Sequence, residues 1–198
     1  MPSGYQAPEP ELALRLGVSR STVREALVRL QGEGLVKLIP RRGARVLPLR
    51  AEDMREIYEI LSSLEPDVAA ALAARRPSNA ELAPLEKEAA AMEAALERGD
   101  LDAWAEADDR FHLTILQLHG NHRLRDFVAT LSDQVHRARM ITLRLREAPV
   151  ESNAEHRNIL ESIRNGDVEA ARAIFYTHRQ RAASELIKLL DKTGIGQL

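Results

Sequence analysis

Gly17–Lys37 reads GVSRSTVREALVRLQGEGLVK, and this stretch decides the N-terminal fold. Ser19 suits an N-cap, because its short side chain can accept a free backbone N–H of the first turn. Val23, Ala26, Leu27 and Leu30 then recur at i, i+3, i+4 and i+7, the stripe of a helix with one buried face. Arg20, Ser21, Arg24 and Gln31 fall on the other side, and Gly32 and Gly34 stop the helix. Upstream, Glu9 to Leu16 reads as a shorter helix with Leu12 and Leu16 inward and two acids near its positive end. A short helix, a tight turn at Gly17-Val18-Ser19 and a second helix with arginines in its first turns describe a helix-turn-helix.

Leu35–Ile39 and Ala44–Leu47 are short β-prone runs joined by Pro40-Arg41-Arg42-Gly43, a turn sequence with two cations, Arg41 and Arg42. The pieces together predict a winged helix-turn-helix with a basic wing tip. VSRSTVREAL, the glycine-rich helix end and PRRGARV resemble the DNA-binding domain of GntR-family bacterial transcription regulators. The resemblance implies that Arg20 and Arg24 contact an operator in double-stranded DNA, with Ser21 and Thr22 beside them and Gly43 at the wing tip. Some members carry an arginine where Pro10 stands, so no base contact carries over to that position.

The bulk composition sets the frame for the rest. The 198 residues are 44% hydrophobic and 29% charged, ordinary for a soluble globular protein. Aromatics are scarce and alanine and leucine abundant, which favours helices. The absence of cysteine excludes disulfides and thiolate metal sites. No apolar run approaches the roughly 20 residues that span a bilayer, and no signal peptide is visible, so the expectation is a cytoplasmic protein without a membrane partner. Residues 1–50 carry nine Arg and Lys against four Glu, a net of +5, within a total of −2, which leaves −7 for the remainder. A basic module on an acidic body suits a phosphate-binding head.

The boundary falls near Pro48 to Ala51, dividing a winged domain at 1–48 from an all-helical domain at 51–192. Met54, Ile57, Tyr58, Leu61, Leu64, Val68 and Leu72 keep helical register across Pro66, where a kink is expected. Ser78-Asn79-Ala80-Glu81 is a capping-box pattern opening the next helix. Further helices are predicted over 101–119, 121–146, 149–165 and 167–192, separated at Gly120-Asn121, before Pro149 and at Gly166. Six helices with short links predict an antiparallel bundle. The fold class is therefore mainly α.

Within the helix 101–119, Leu101, Trp104, Phe111, Ile115 and Leu118 define the apolar stripe, and Asp108 and His112 fall inside it. Glu106, Asp109 and Arg110 fall outside. A buried lone carboxylate is costly unless paired or bound to a cation. His156 keeps register with Ile159, Leu160 and Ile163, and His178 lies among Ala171, Phe175, Ala182 and Leu189. One Asp and three His are the right types for a divalent transition metal such as Zn, Ni, Mn or Fe. The plainer alternative makes each histidine a hydrogen-bonded core residue. His136 points away from its helix's stripe, and His119 and His122 flank a turn, so these three are expected as surface or capping residues.

DDRFH, EHRNILESIRNGDVEAA and the late TH resemble the helical effector-binding FCD domain of the FadR subfamily. The resemblance implies a bundle holding a divalent metal through Asp108, His112, His156 and His178, with a small organic acid completing its sphere. Many members have an arginine near Leu61 facing the ligand. This chain has none, and Arg139 and Arg146 at the edge of the 121–146 stripe are weak substitutes, expected to be solvated. The reading is a homodimeric transcription regulator and not an enzyme. The alternatives are a pure metal-ion sensor and a helical-bundle metalloenzyme, the latter disfavoured because the chain has no Glu-x-x-His motif.

Family members usually carry one more helix packed across the helix-turn-helix, which this chain apparently lacks. MPSGYQA is too short to replace it. Residues 1–50 are therefore expected to be less stable than the bundle, or to rest their apolar face on the bundle or a partner subunit.

Overall fold

The computed structural model describes Met1 and residues 3–193. A strand β1 (Gln6–Ala7) leads into α1 (Glu9–Leu16), α2 (Arg20–Gly32) and a hairpin of β2 (Val36–Ile39) and β3 (Gly43–Val46). Six long helices follow: α3 (Ala51–Arg75), α4 (Asn79–Glu97), α5 (Leu101–His119), α6 (His122–Thr142), α7 (Val150–Asn165) and α8 (Val168–Thr193). A 3-10 turn, Leu143–Leu145, closes α6 short of the expected residue 146, and Leu145 is exposed.

The N-terminal expectations hold in their geometry. Gly17 adopts a left-handed conformation (φ 68°) and ends α1, and Ser19 Oγ accepts the Thr22 N–H at 3.1 Å to open α2. The buried residues of these helices are Leu12, Ala13, Val23 and Leu27, with Leu30 partly covered. Leu16 is exposed, contrary to the sequence pattern, because α1 ends in the turn at that residue.

The stretch before α1 forms a strand. Among the described residues no helix precedes α1; Gln6 and Ala7 instead pair with Arg45 and Ala44, making a three-stranded antiparallel sheet of order β1-β3-β2. Ala7 enters the same apolar cluster as Leu12, Val23, Leu27, Val36 and Ala44. Two residues in a strand need only a free sheet edge, whereas a helix needs several turns to repay its nucleation. The module thus closes its own core, although Leu14, Val18 and Val28 remain on its surface. Gly43 sits where β1 crosses the hairpin, and a Cβ built there would lie 2.0 Å from the Ala7 carbonyl oxygen. Only glycine fits.

In the bundle, α3 packs most extensively on α8, and α4 on α5. The helix α3 continues without interruption through Pro66. The Ser78–Glu81 capping box forms with both of its hydrogen bonds. Leu49 reaches back into this core, so the linker is anchored to the bundle. The two modules touch where Arg137 of α6 donates to the Leu47 carbonyl oxygen at 2.7 Å and Gly34 approaches the Gln134 side chain.

Candidate metal centre and nucleic-acid interface

The outer face of α2 carries Arg20, Ser21, Thr22 and Arg24, all exposed. Arg41 and Arg42 are exposed in the turn between β2 and β3. Gln31 Oε1 accepts the Leu38 N–H at 2.8 Å, tying α2 to the wing. None of these four arginines has a carboxylate within 4.0 Å among the described residues, whereas Arg29 pairs with Glu33 at 2.7 Å. Free cations on one helix and one wing tip make a surface fit for a polyphosphate.

The second site is internal. Asp100 caps α5 by accepting the Ala103 N–H at 3.0 Å, and Gly120 ends it in a left-handed conformation. Between these stops Asp108 and His112 project inward from adjacent turns, 2% and 5% exposed. His156 of α7 and His178 of α8 are fully buried beside them. One ligand atom from each of the three imidazoles lies within 4.8 Å of the others. His156 Nε2 and His112 Nε2 are 3.3 Å apart, and Asp108 Oδ1 is 3.4 Å from His156 Nε2. A tetrahedral ion with bonds of about 2.0–2.1 Å separates its ligand atoms by about 3.4 Å. Asp108 Oδ2 lies 3.7 Å from His112 Nε2. Phe111 and Phe175 wall the cluster, with ring centroids 4.7 Å from His156 and 5.5 Å from His112.

Electrostatics favour ligation over charge on the rings. Burial holds His112 well below the usual histidine range and brings His156 to about 3, so both are neutral near pH 7. His178 Nδ1 faces Glu155 Oε2 at 2.7 Å and donates to it, leaving Nε2 as the other ring nitrogen. That Nε2 is buried with no hydrogen-bond partner. Burial works against the Glu155 charge, but hydrogen bonds from Arg181 and His178 bring it down to about 2. Burial likewise opposes ionised Asp108, but Arg139 at 2.5 Å outweighs it and holds the carboxyl below its ordinary value. The neutral His112 and His156 rings, the His178 ring with its unpartnered Nε2 and a carboxylate form a donor set suited to a divalent transition metal.

A cavity of about 420 Å³ opens beside this cluster, lined in part by Tyr58, Asp108, Arg139, Arg146, His178 and Arg179. Arg139 corrects the sequence reading. It is 7% exposed and ion-paired to both Asp108 and Asp109, the latter at 2.7 Å. Arg146 is also inside, with 19% of its side chain exposed. Arg179, which sequence reasoning passed over, is buried against Glu65 at 2.7 Å. His136 is half-buried and bonded to Asp109, so it is not a free surface residue, whereas His122 is exposed.

A family model described as "Bacterial regulatory proteins, gntR family" matches residues 4–46, and one described as "FCD domain" matches residues 56–181. An HTH-type transcriptional regulator from the TAR-I ttuE-ttuC' intergenic region of Agrobacterium vitis is 48% identical over 117 residues, 58% of this chain and 68% of that protein. The HTH-type transcriptional regulator YdhC of Bacillus subtilis is 30% identical over 190 residues, 96% of this chain and 84% of its own. Among solved structures, Escherichia coli McbR/YncC superposes with a TM-score of 0.82 at 23% identity, covering 95% of this chain and 89% of that one. The Zn2+-bound FCD domain of TM0439, a transcriptional regulator, has a TM-score of 0.54 at 25% identity and covers 72% of this chain and 96% of that one. The families and relatives are regulators of transcription, not enzymes. Among the described residues no helix is long and apolar enough to cross a membrane.

Proposed function

The chain belongs to the FCD-domain regulators of the gntR family, and from that premise we propose that a small organic acid, bound at a divalent metal in the helical bundle, sets the affinity of its winged domain for operator DNA. Residues 1–48 form the DNA-binding domain and 51–192 the effector domain. Asp108, His112, His156 and His178 hold the metal, and the regulator works as a homodimer in the cytoplasm. When bound, the ion supplies a fixed positive charge to which a carboxylate can bind. The observation that carries the reading is the unpartnered, buried Nε2 of His178, held toward the cluster by Glu155. A core histidine left in that state would cost about 1–3 kcal/mol.

The protein's own residues do the rest. Arg139 neutralises Asp108 and joins it to Asp109 on the same helix. Both Arg139 and Arg137 lie on α6, and Arg137 grips the linker carbonyl of Leu47. A ligand that shifts α6 therefore shifts the mooring of the winged domain, and it changes DNA affinity only by its differential affinity for the two arrangements. Arg20, Arg24, Ser21 and Thr22 on α2 read the major groove, while Arg41, Arg42 and Gly43 bring the wing to the backbone. The cavity beside the metal cluster favours an acid over the ion alone as the effector. Operator binding measured across a metal titration, with and without carboxylic acids, tests this. Metal-dependent DNA affinity that responds to an acid is expected; affinity indifferent to both would overturn it.

A further inference from the structure

Four arginines line the cavity beside the metal cluster: Arg139, Arg146, Arg179 and Arg181. Three are committed to acids of the protein. Arg139 is held by Asp108 and Asp109, Arg179 by Glu65, and Arg181 by Glu155 at 2.7 Å and Glu185 at 2.5 Å. Arg146 is different. Its Nε is buried with no hydrogen-bond partner. The one carboxylate within 4.0 Å of it among the described residues is Glu185, at 3.6 Å and already bonded to Arg181. Burial and the neighbouring Arg139 both disfavour its charge, and Glu185 and Asp108 offset this only in part. A largely buried guanidinium whose acid neighbour stands 3.6 Å off is under-compensated, and it presents a planar fork matched to a carboxylate.

We infer that Arg146 is the second anchor of the effector, and that the cavity takes a small dicarboxylic acid, with one carboxylate at the metal cluster and the other on Arg146. The inference rests on the metal-and-acid reading of the same site. A monocarboxylate would leave Arg146 as it stands; a diacid satisfies both ends. Tyr58 lines the same cavity, and a space of about 420 Å³ lies in the range of small-ligand sites. Arg146 follows the 3-10 turn that closes α6, so its engagement would also bear on the helix that moors the winged domain.

The test uses the full chain loaded with zinc and calorimetric titration with acetate and lactate against malonate, succinate and glutarate. At least one diacid should bind about 10-fold or more tighter than acetate, as one charge-assisted hydrogen-bond pair predicts. Arg146→Gln should abolish that preference while leaving zinc content and acetate affinity unchanged, and Arg146→Lys should restore part of it. Equal affinities for acetate and every diacid, or a preference that survives in Arg146→Gln, would overturn the assignment. A preference seen equally in metal-free protein and lost in Arg146→Gln would uphold Arg146 while refuting the metal's role. No acid binding at all would refute both.

Discussion

The two modules place their working groups on opposite sides of their surfaces. In the winged module the core cluster is seven apolar residues, and the residues assigned to DNA are exposed, apart from half-covered Gly43. In the bundle the corresponding cluster holds 32 residues, and the twelve buried polar residues found among the described residues, Ser62 to Arg179, lie there. The contrast suits the ligands proposed for the two modules. A phosphate backbone is itself solvated and is met by cations held out to water. A small ligand must be bound with few contacts, which demands desolvated groups fixed in place by a large core. The winged module can tolerate changes to its working residues; the bundle cannot.

The sharpest break in this contrast should come from Glu65→Ala, which leaves Arg179 buried and unpaired. It should destabilise the bundle by about 3–5 kcal/mol in urea unfolding. A loss below 1 kcal/mol would show that this pair is not an internal constraint. His156→Ala comes next. Metal content, read by mass spectrometry of the purified protein, should fall at least about 10-fold, as for loss of a ligand. The fall in melting temperature should shrink when the parent is compared after chelation. His122→Ala should keep its metal, and equal metal in both variants would sink the ligand assignment.

On the outer module the pattern should reverse. Arg24→Ala should weaken operator binding by about 1–3 kcal/mol and relax sequence preference with no measurable change in melting temperature. Arg42→Ala should weaken all DNA alike and lower the salt-dependence slope by about 1. Equal losses on operator and random DNA for Arg24→Ala would reassign it to the backbone. The smallest effect belongs to the seam. Arg137→Ala removes one hydrogen bond to Leu47, worth about 1 kcal/mol, and should speed hydrogen exchange in residues 44–49 without changing either core. Unchanged exchange there would remove α6 as the mooring.

Most of the internal polar cluster was legible in the sequence, because a charged residue in an apolar stripe is conspicuous. Asp108, His112, His156 and His178 all keep helical register with leucines, isoleucines or phenylalanines, and the fold brings them together. Glu65 gave the same signal, four residues after Leu61 and three before Val68. So did Arg179, four after Phe175, and Arg139, four after Val135. The burial of the two arginines was missed because a long cationic side chain at a stripe's edge can equally snorkel to water. Glu155 gave no such signal; its role depends on His178, which a different helix supplies.

By itself the sequence determined the element types and their order. Periodicity, caps and glycines act within a few residues, so the six helices, the helix-turn-helix and the hairpin follow from local chemistry. Local chemistry carries no sign of the strand Gln6–Ala7: its partner, β3, lies almost 40 residues away, and a two-residue strand exists only when that edge is present. Tertiary structure alone decided which acid each buried arginine meets, and hence that Arg146 meets none closer than 3.6 Å. Those pairings join α3 to α8, α5 to α6 and α7 to α8. Ion pairing is a matter of a few ångströms between side chains from distant helices, and no pattern along one helix contains that distance.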